Sequence, residues 1–244
     1  MTKHKEGIMD GTKKYFDEHY SVKKIKMAVA KEYMCKNHYT HGCHNAPNPC
    51  YGLYEYGKLI GAIAFSQPCS ENVRSSIWGK EFKNRVIELH RLHIMDTTPR
   101  NTETWFMSRC FEMLKQDKPE IKGIISFSDT TEGHIGTIYK AMNFYFVGKT
   151  SSATFYRDQE GRLRHPRQNG VNISKEEALT RGWTIEHRRA KNRYLYLLPE
   201  NKREKRTLLK TCRYDVLHYK WCPICGKAHL IGEECKCQAR RKAG

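Results

Sequence analysis

With 244 residues, a formal net charge of +18 and a hydrophobic fraction of 39%, the chain can bury one sizeable core with a small appendage, and its apolar residues are spread too evenly for a disordered tail. The longest apolar run, Leu59 to Phe65, is far short of the ~20 residues that span a bilayer, and Met1 to Tyr20 has no signal-peptide core, so no membrane is expected and the chain reads as cytoplasmic. Thiols are reduced there, so ten cysteines point to metal before disulfides, and the positive surplus points to a polyanion, nucleic acid ahead of an anionic lipid surface.

Met1 to Tyr20 reads as a polar leader. Val22 to Tyr33 has helical spacing. Cys35 to Pro49 is irregular and dense in His, Asn, Cys and Pro. Tyr51 to Ser66 reads as a hairpin turning at Tyr56-Gly57. Val86 to Met95 alternates with period two, as a strand does. Thr102 to Lys115 predicts a helix with Trp105, Phe106, Cys110, Phe111 and Leu114 on its apolar face. Gly123 to Phe127 predicts a strand, Gly136 to Met142 a short helix, and Phe144 to Gly148 and Ser152 to Arg157 further strands. Gln159 to Gly170 is an Arg-rich loop. Ser174 to Arg181 opens on a Ser-x-x-Glu capping pattern, and Tyr194 to Leu198 is a last strand. This alternation predicts an α/β fold with a mixed central sheet flanked by helices.

The charge is uneven. From Arg181 onward 17 Lys and Arg stand against 6 Asp and Glu. Arg188, Arg189, Lys191, Arg193, Lys202, Arg203, Lys205 and Arg206 are therefore the expected contacts to nucleic-acid phosphates. Further on, Cys222-Pro-Ile-Cys225-Gly is a tight knuckle, and Cys235-Lys-Cys237 follows. Cys222, Cys225, Cys235 and Cys237 suit tetrahedral zinc in a structural, closed site, with His229 able to replace one of them. The domains expected are a leader (1–20), a catalytic domain (21–200) and a basic, Cys-rich zinc module (201–244).

The most informative stretch runs from Ser126 to Phe144: a strand end, a polar turn holding Asp129, and a short helix bearing Tyr139. Ligand sites form at strand ends in open α/β sheets. The segment Ile138-Tyr-Lys-Ala-Met-Asn-Phe-Tyr-Phe-Val-Gly148 resembles a signature of the GNAT N-acyltransferases. Glu88-Leu-His-Arg91-Leu, Pro99 to Trp105, Asp129 with Gly136-Thr-Ile-Tyr139, the pair His38-Tyr39 and Arg188 to Leu198 together resemble the Mom family of bacteriophage DNA-modification proteins, over roughly residues 35 to 198. The resemblance implies a GNAT-like scaffold and a transferase that places an acyl-type, methylcarbamoyl-like group on adenine N6 in double-stranded DNA, shielding phage DNA from restriction. It implies His38, Tyr39, Arg91, Asp129 and Tyr139 as the active-site set. Tyr139 would then protonate a leaving thiolate, Asp129 would orient the amine or accept its proton, and Arg91 would bind the donor's carbonyl or phosphate.

The sequence departs from the GNAT pattern in one place. Where a Gly-rich turn normally binds pyrophosphate, it has Thr97-Thr-Pro-Arg-Asn-Thr-Glu-Thr. Arg100, Asn101 and Thr102 at that helix start remain the candidates for holding acetyl-CoA or a related acyl donor. The cluster Cys35, His38, Tyr39, His41, Cys43, His44 and Cys50 could bind iron or a second zinc. A flipped base could stack on Trp78, Trp105, Tyr51 or Tyr54. Each site residue has a plainer reading: Arg91 pairing with Glu88 or Glu103, Asp129 capping its turn, His38 solvated in its loop. Two other functions stay open, a GNAT enzyme acting on RNA or protein and a non-catalytic DNA-binding protein on the same scaffold.

Overall fold

The computed structural model describes residues 14–68, 70–168, 170–222, 225–233 and 235. The chain enters through a helix ending at 19 (α1, described from 14), strand β1 (Tyr20–Lys24) and helix α2 (Met27–Asn37). This corrects the helix expected from Val22. Tyr20 to Lys24 pair antiparallel with Glu55 to Tyr51, so sheet pairing overrides the local helical spacing. Within the stretch expected as a polar leader, Phe16 and Tyr20 are core residues.

The predicted hairpin forms from β2 (Cys50–Glu55) and β3 (Lys58–Ser66). Its two turn residues, Tyr56 (φ 46°) and Gly57 (φ 81°), both have positive φ, as the tight turn between twisted strands requires. After the short helix α3 (Glu71–Ser75) come β4 (Val86–Ile94), α4 (Thr102–Asp117), β5 (Gly123–Ser128), α5 (Thr137–Ala141) and β6 (Tyr145–Lys149). An insertion follows: β7 (Ala153–Arg157), β8 (Leu163–Arg164), β9 (Arg167–Gln168), β10 (Val171–Asn172), α6 (Lys175–Thr180) and β11 (Thr184–Arg188). The expected loop at 159–170 thus contains β8 and β9. The chain then returns through β12 (Asn192–Leu197), α7 (Lys202–Thr211) and a small hairpin, β13 (Tyr219–Trp221) and β14 (Ala228–Leu230).

The expected mixed α/β sheet is present: seven strands in the order β1-β2-β3-β4-β5-β12-β6, parallel only between β4 and β5. One face is covered by α4, whose Phe106, Met107, Cys110, Phe111 and Leu114 are buried at helical spacing. Phe111 sits 4.9–6.1 Å, centroid to centroid, from Phe65, Phe144 and Tyr196, so one helix side chain ties three strand regions together. The other face is covered by α2 and α7. Trp78 anchors α7 there by donating its indole N–H to the Leu208 carbonyl at 2.9 Å.

Two irregularities along β4 place the site. The register of β3 against β4 slips between Ala64 and Phe65: Ala64 faces Arg91 but Phe65 faces Leu89, so His90 is an extra residue, a β-bulge. The bulge breaks the strict alternation expected for Val86 to Met95. Ile87, Leu89, Leu92 and Ile94 pack toward α4, while Arg91 and His93 turn to the side of α2. In addition, β4 and β5 pair only from Val86–Gly123 to Glu88–Ile125. Beyond Glu88 the β5-facing edge of β4 has no strand partner, and the Ser126 hydroxyl, 3.0 Å from the Leu89 carbonyl, caps the split.

Candidate active site

The five residues expected at the site form one electrostatic neighbourhood around this split. His38 is coupled to Arg91 and His134, Tyr39 to Asp129 and Arg91, and Tyr139 to Tyr39 and Glu88. They reach it from separate elements. His38 caps the end of α2, where its N–H donates to the Met34 carbonyl. Arg91 lies just past the bulge of β4. Asp129 starts the turn after β5, and Tyr139 lies on α5.

Asp129 is buried, and its plainer reading holds alongside the functional one. Oδ1 accepts from the Thr131 N–H at 3.1 Å and caps the turn. Oδ2 accepts from Arg188 Nη2 at 2.8 Å and lies 3.1 Å from Lys191 Nζ. Burial acts to raise this carboxyl, but the Arg188 hydrogen bond and the Lys191 charge outweigh it and hold it below the usual carboxylate range. An anion held this firmly is a weak base and a good hydrogen-bond acceptor.

His38 is also buried. Its Nδ1 accepts from the Thr40 N–H at 3.1 Å and lies 2.8 Å from Thr40 Oγ1, which assigns the ring proton to Nε2. Burial and the Arg91 charge push its pKa down to about 4, so at neutral pH the ring is an uncharged donor. Arg91 donates from Nε to the Gly42 carbonyl at 3.1 Å and from Nη1 to the His90 carbonyl at 2.8 Å. Neither Glu88 nor Glu103 pairs with it; among the described residues it forms no ion pair, and its charge faces the site. Burial pushes Tyr139 up to about 12, against the opposing hydrogen bond to Ser126, whose Oγ is 2.8 Å from the phenol oxygen. The ring stacks on Tyr194 at 4.8 Å. Gly136, at the start of α5, has φ 73°, and a Cβ there would sit 2.2 Å from the Tyr194 hydroxyl oxygen, so only glycine allows α5 to dock on this ring.

Three other groups belong to the cluster. His134 packs its ring 5.1 Å from that of Tyr39. Glu132 and Glu186 share Arg188 with Asp129, at 2.8 and 2.9 Å. Only the position of His134 in the turn with Asp129 could have flagged it in the sequence.

Other expectations change. Arg188, taken as a phosphate contact, is 7% exposed and serves three carboxylates, because β11 ends against the turn of Asp129. Lys191 is committed to Asp129. Arg193 lies between the rings of Phe127 and Tyr214, at 6.0 and 4.8 Å, with its Nε buried. Arg189, Lys202, Arg203, Lys205 and Arg206 are exposed. Thr102 is fully buried and its hydroxyl donates to the Pro99 carbonyl at 2.6 Å, so it presents no side chain to a cofactor. Asn101 adopts φ 74° without capping α4, and Arg100 is exposed. Tyr51 and Trp78 are buried, and Trp105 packs on Phe16 and Tyr20, which removes them as stacking surfaces. Tyr39, 52% exposed, is the aromatic ring the site offers. Among the described residues, the Cys222, Cys225 and Cys235 sulfurs form the one group of potential metal donors lying within 4.8 Å of one another. The Cys and His residues of 35–50 do not converge in this way, and Cys237 lies outside the described residues.

A mixed sheet split between its two parallel strands, with a buried phenol on one face and ionisable groups gathered on the other, defines the layout of a group-transfer enzyme. The chain belongs to the Mom protein family, whose sequence profile matches residues 19–219. It is 24% identical over 203 residues to the methylcarbamoylase mom of Escherichia phage Mu, covering 80% of this chain and 81% of that protein. Solved structures similar to it include yncA from Salmonella typhimurium with its cofactor acetyl-CoA (TM-score 0.43, 10% identity, 75% of this chain and 96% of that one). Another is Arabidopsis thaliana NAA60 with a bisubstrate analogue (TM-score 0.43, 9% identity, 75% and 99%). No helix among the described residues is long and apolar enough to cross a membrane.

Proposed function

We propose that this chain transfers a methylcarbamoyl-type acyl group to the exocyclic N6 amine of adenine in double-stranded DNA. The observation that carries the reading is the gathering of Asp129, Arg91, His38 and Tyr39 on one side of the β4–β5 split with Tyr139 on the other. Family membership agrees with it.

In this reading residues 21–200 form a GNAT-like catalytic domain. The features that suit a coenzyme A thioester are the open edge of β4 past Glu88, the α4 N-terminus without a side-chain cap, and exposed Arg100 beside it. When bound, such a donor supplies an activated acyl carbon. The chain's own groups do the rest. Tyr39 stacks on the extruded adenine. Asp129 accepts a hydrogen bond from the N6 amine and aims its lone pair at the acyl carbon. Arg91 and the Nε2–H of His38 stabilise charge building on the acyl oxygen. His134 accepts the proton that leaves N6, and Tyr139 donates its phenol proton to the departing sulfur.

Residues 201–244 form a basic module that holds DNA and a structural zinc. Lys202, Arg203, Lys205 and Arg206 crowd the first two turns of α7, where the helix dipole disfavours cations, and among the described residues none of them forms an ion pair. That placement costs stability and suits an external polyanion. Replacing all four with alanine is expected to weaken DNA binding alike for every sequence. The slope of log affinity against log salt should fall by about 1 for each phosphate no longer neutralised, as fluorescence anisotropy titrations would show. An unchanged slope would move the DNA surface elsewhere.

The reading as a whole is tested by mass spectrometry of nucleosides digested from DNA of cells expressing the chain. A modified deoxyadenosine is the expected product. Unmodified DNA alongside soluble protein rejects the proposal, and an adduct found in RNA or protein instead redirects it to that acceptor.

A further inference from the structure

The C-terminal cysteines lie beyond the stretch that matches the family, and the sulfurs of Cys222, Cys225 and Cys235 lie within 4.8 Å of one another. The sulfurs of Cys225 and Cys235 are 3.6 Å apart, and His229 Nε2 is 3.9 Å from Cys225 Sγ. A disulfide would need about 2.05 Å. Metal–sulfur bonds of about 2.3 Å in a tetrahedron put neighbouring thiolates about 3.8 Å apart and a thiolate and an imidazole nitrogen slightly closer. Cys222 and Cys235 are buried. The turn is shaped as a knuckle: the Gly226 N–H donates to the Cys222 carbonyl and the Cys222 N–H to the Lys227 carbonyl, both at 2.9 Å. Burial cannot hold this segment together, since Trp221 is 47% and Ile231 60% exposed.

The knuckle is fastened to the catalytic core. Phe146 on β6 and Leu217 exchange backbone hydrogen bonds of 2.9 and 3.0 Å, and β13 starts two residues later. Its first residue, Tyr219, sets its ring against that of Tyr194, with centroids 6.5 Å apart. Tyr194 donates to the Ile135 carbonyl at 3.2 Å and stacks on Tyr139. Lys140 Nζ sits 5.2 Å from the Tyr219 ring centroid. The helix braced by these contacts, α5, has five residues, too few to be stable by itself.

We propose that a zinc ion held by Cys222, Cys225 and Cys235, with His229 swinging in from beside Cys225 as the fourth ligand, fixes Tyr219 and, through Tyr194, positions Tyr139 at the strand split. Tyr219 is a positioning residue. The proposal rests on the reading of Tyr139 as proton donor. The test has two arms on the full-length protein. Elemental analysis is expected to find stoichiometric zinc, retained in Cys237→Ser and lost in His229→Ala and Cys225→Ser. The reverse pattern for His229 and Cys237 overturns the ligand set. Hydrogen exchange of the backbone amides from Ile138 to Met142 is then compared with and without zinc. Chelation is expected to speed their exchange about tenfold. Tyr219→Ala should do the same while keeping its zinc, and should lower kcat with the KM for DNA unchanged. Tyr219→Phe, which keeps the ring, should restore most of both. Unchanged exchange after zinc removal rejects the brace. Faster exchange combined with full activity of Tyr139→Phe keeps the brace and rejects the role given to Tyr139.

Discussion

Arg188→Met is expected to destabilise the fold by about 3–5 kcal/mol, the usual cost of stranding a buried charge, as read by denaturant unfolding. The guanidinium is 8% exposed and serves Asp129, Glu132 and Glu186 at 2.8, 2.8 and 2.9 Å. Its removal leaves the buried carboxylate of Asp129 with Lys191 as its cation and the Thr131 N–H as its donor. Adding Asp129→Asn to Arg188→Met should recover part of the loss, since the stranded charge then disappears; such coupling separates a network from two independent sites. A loss under about 1 kcal/mol would show that the pair behaves as a screened surface contact. The pH dependence follows from the lowered pKa of Asp129. A carboxyl whose folded pKa lies below its unfolded value, about 3.9, contributes stability in full above roughly pH 4–5 and loses it as the pH falls through the folded value. Wild-type protein should therefore lose stability in acid more steeply than Arg188→Met, in which less of that contribution remains.

Tyr139→Phe is expected to lower the transfer rate by about 10²–10⁴, the range for removing a positioned general acid, with DNA affinity unchanged. Single-turnover assays reading the modified nucleoside, paired with anisotropy binding, measure both. The ring remains to stack on Tyr194, so the change removes a proton and little packing. The phenol, pushed up to about 12, keeps that proton throughout the physiological range, and His38, pushed down to about 4, stays neutral there. Rate inflections between about pH 5 and 10 must then arise from groups other than these two. A Phe variant with wild-type rates would show that the phenol packs and does not donate.

Much of this was legible in the sequence. Phe106, Phe111 and Leu114 announced their helix because burial on one face imposes a period. Tyr56-Gly57 announced its turn because positive φ selects residues. The resemblance picked out His38, Tyr39, Arg91, Asp129 and Tyr139, which the fold gathers from four elements. Other features depend on long-range pairing and left no local mark. Val22 reads as helical until β2 claims it. Arg188 reads as one basic residue among many, and only the folded chain puts it against Asp129. The helix α7 has too few apolar residues for its period to show, and its remaining signal was the Asn201-x-x-Glu204 cap, in which Asn201 Oδ1 accepts from the Glu204 N–H at 2.9 Å. Thr102 looked like a ligand contact because a hydroxyl at a helix start often is one; here it turns back onto Pro99.

The bulge at His90 makes the site a matter of parity. Along β4, odd and even positions address opposite sides of the sheet, and the one supernumerary residue resets the count between Leu89 and Arg91. Pairing that residue with Ala64 in regular register would leave every side chain before it in place and exchange the sides of every side chain after it. Arg91 would then enter the aromatic core, and Leu92 would take its place beside His38. Deleting His90 would instead keep Leu89 and Arg91 on the sides they now occupy, so alignments of this strand should be judged by phase as well as by residue identity.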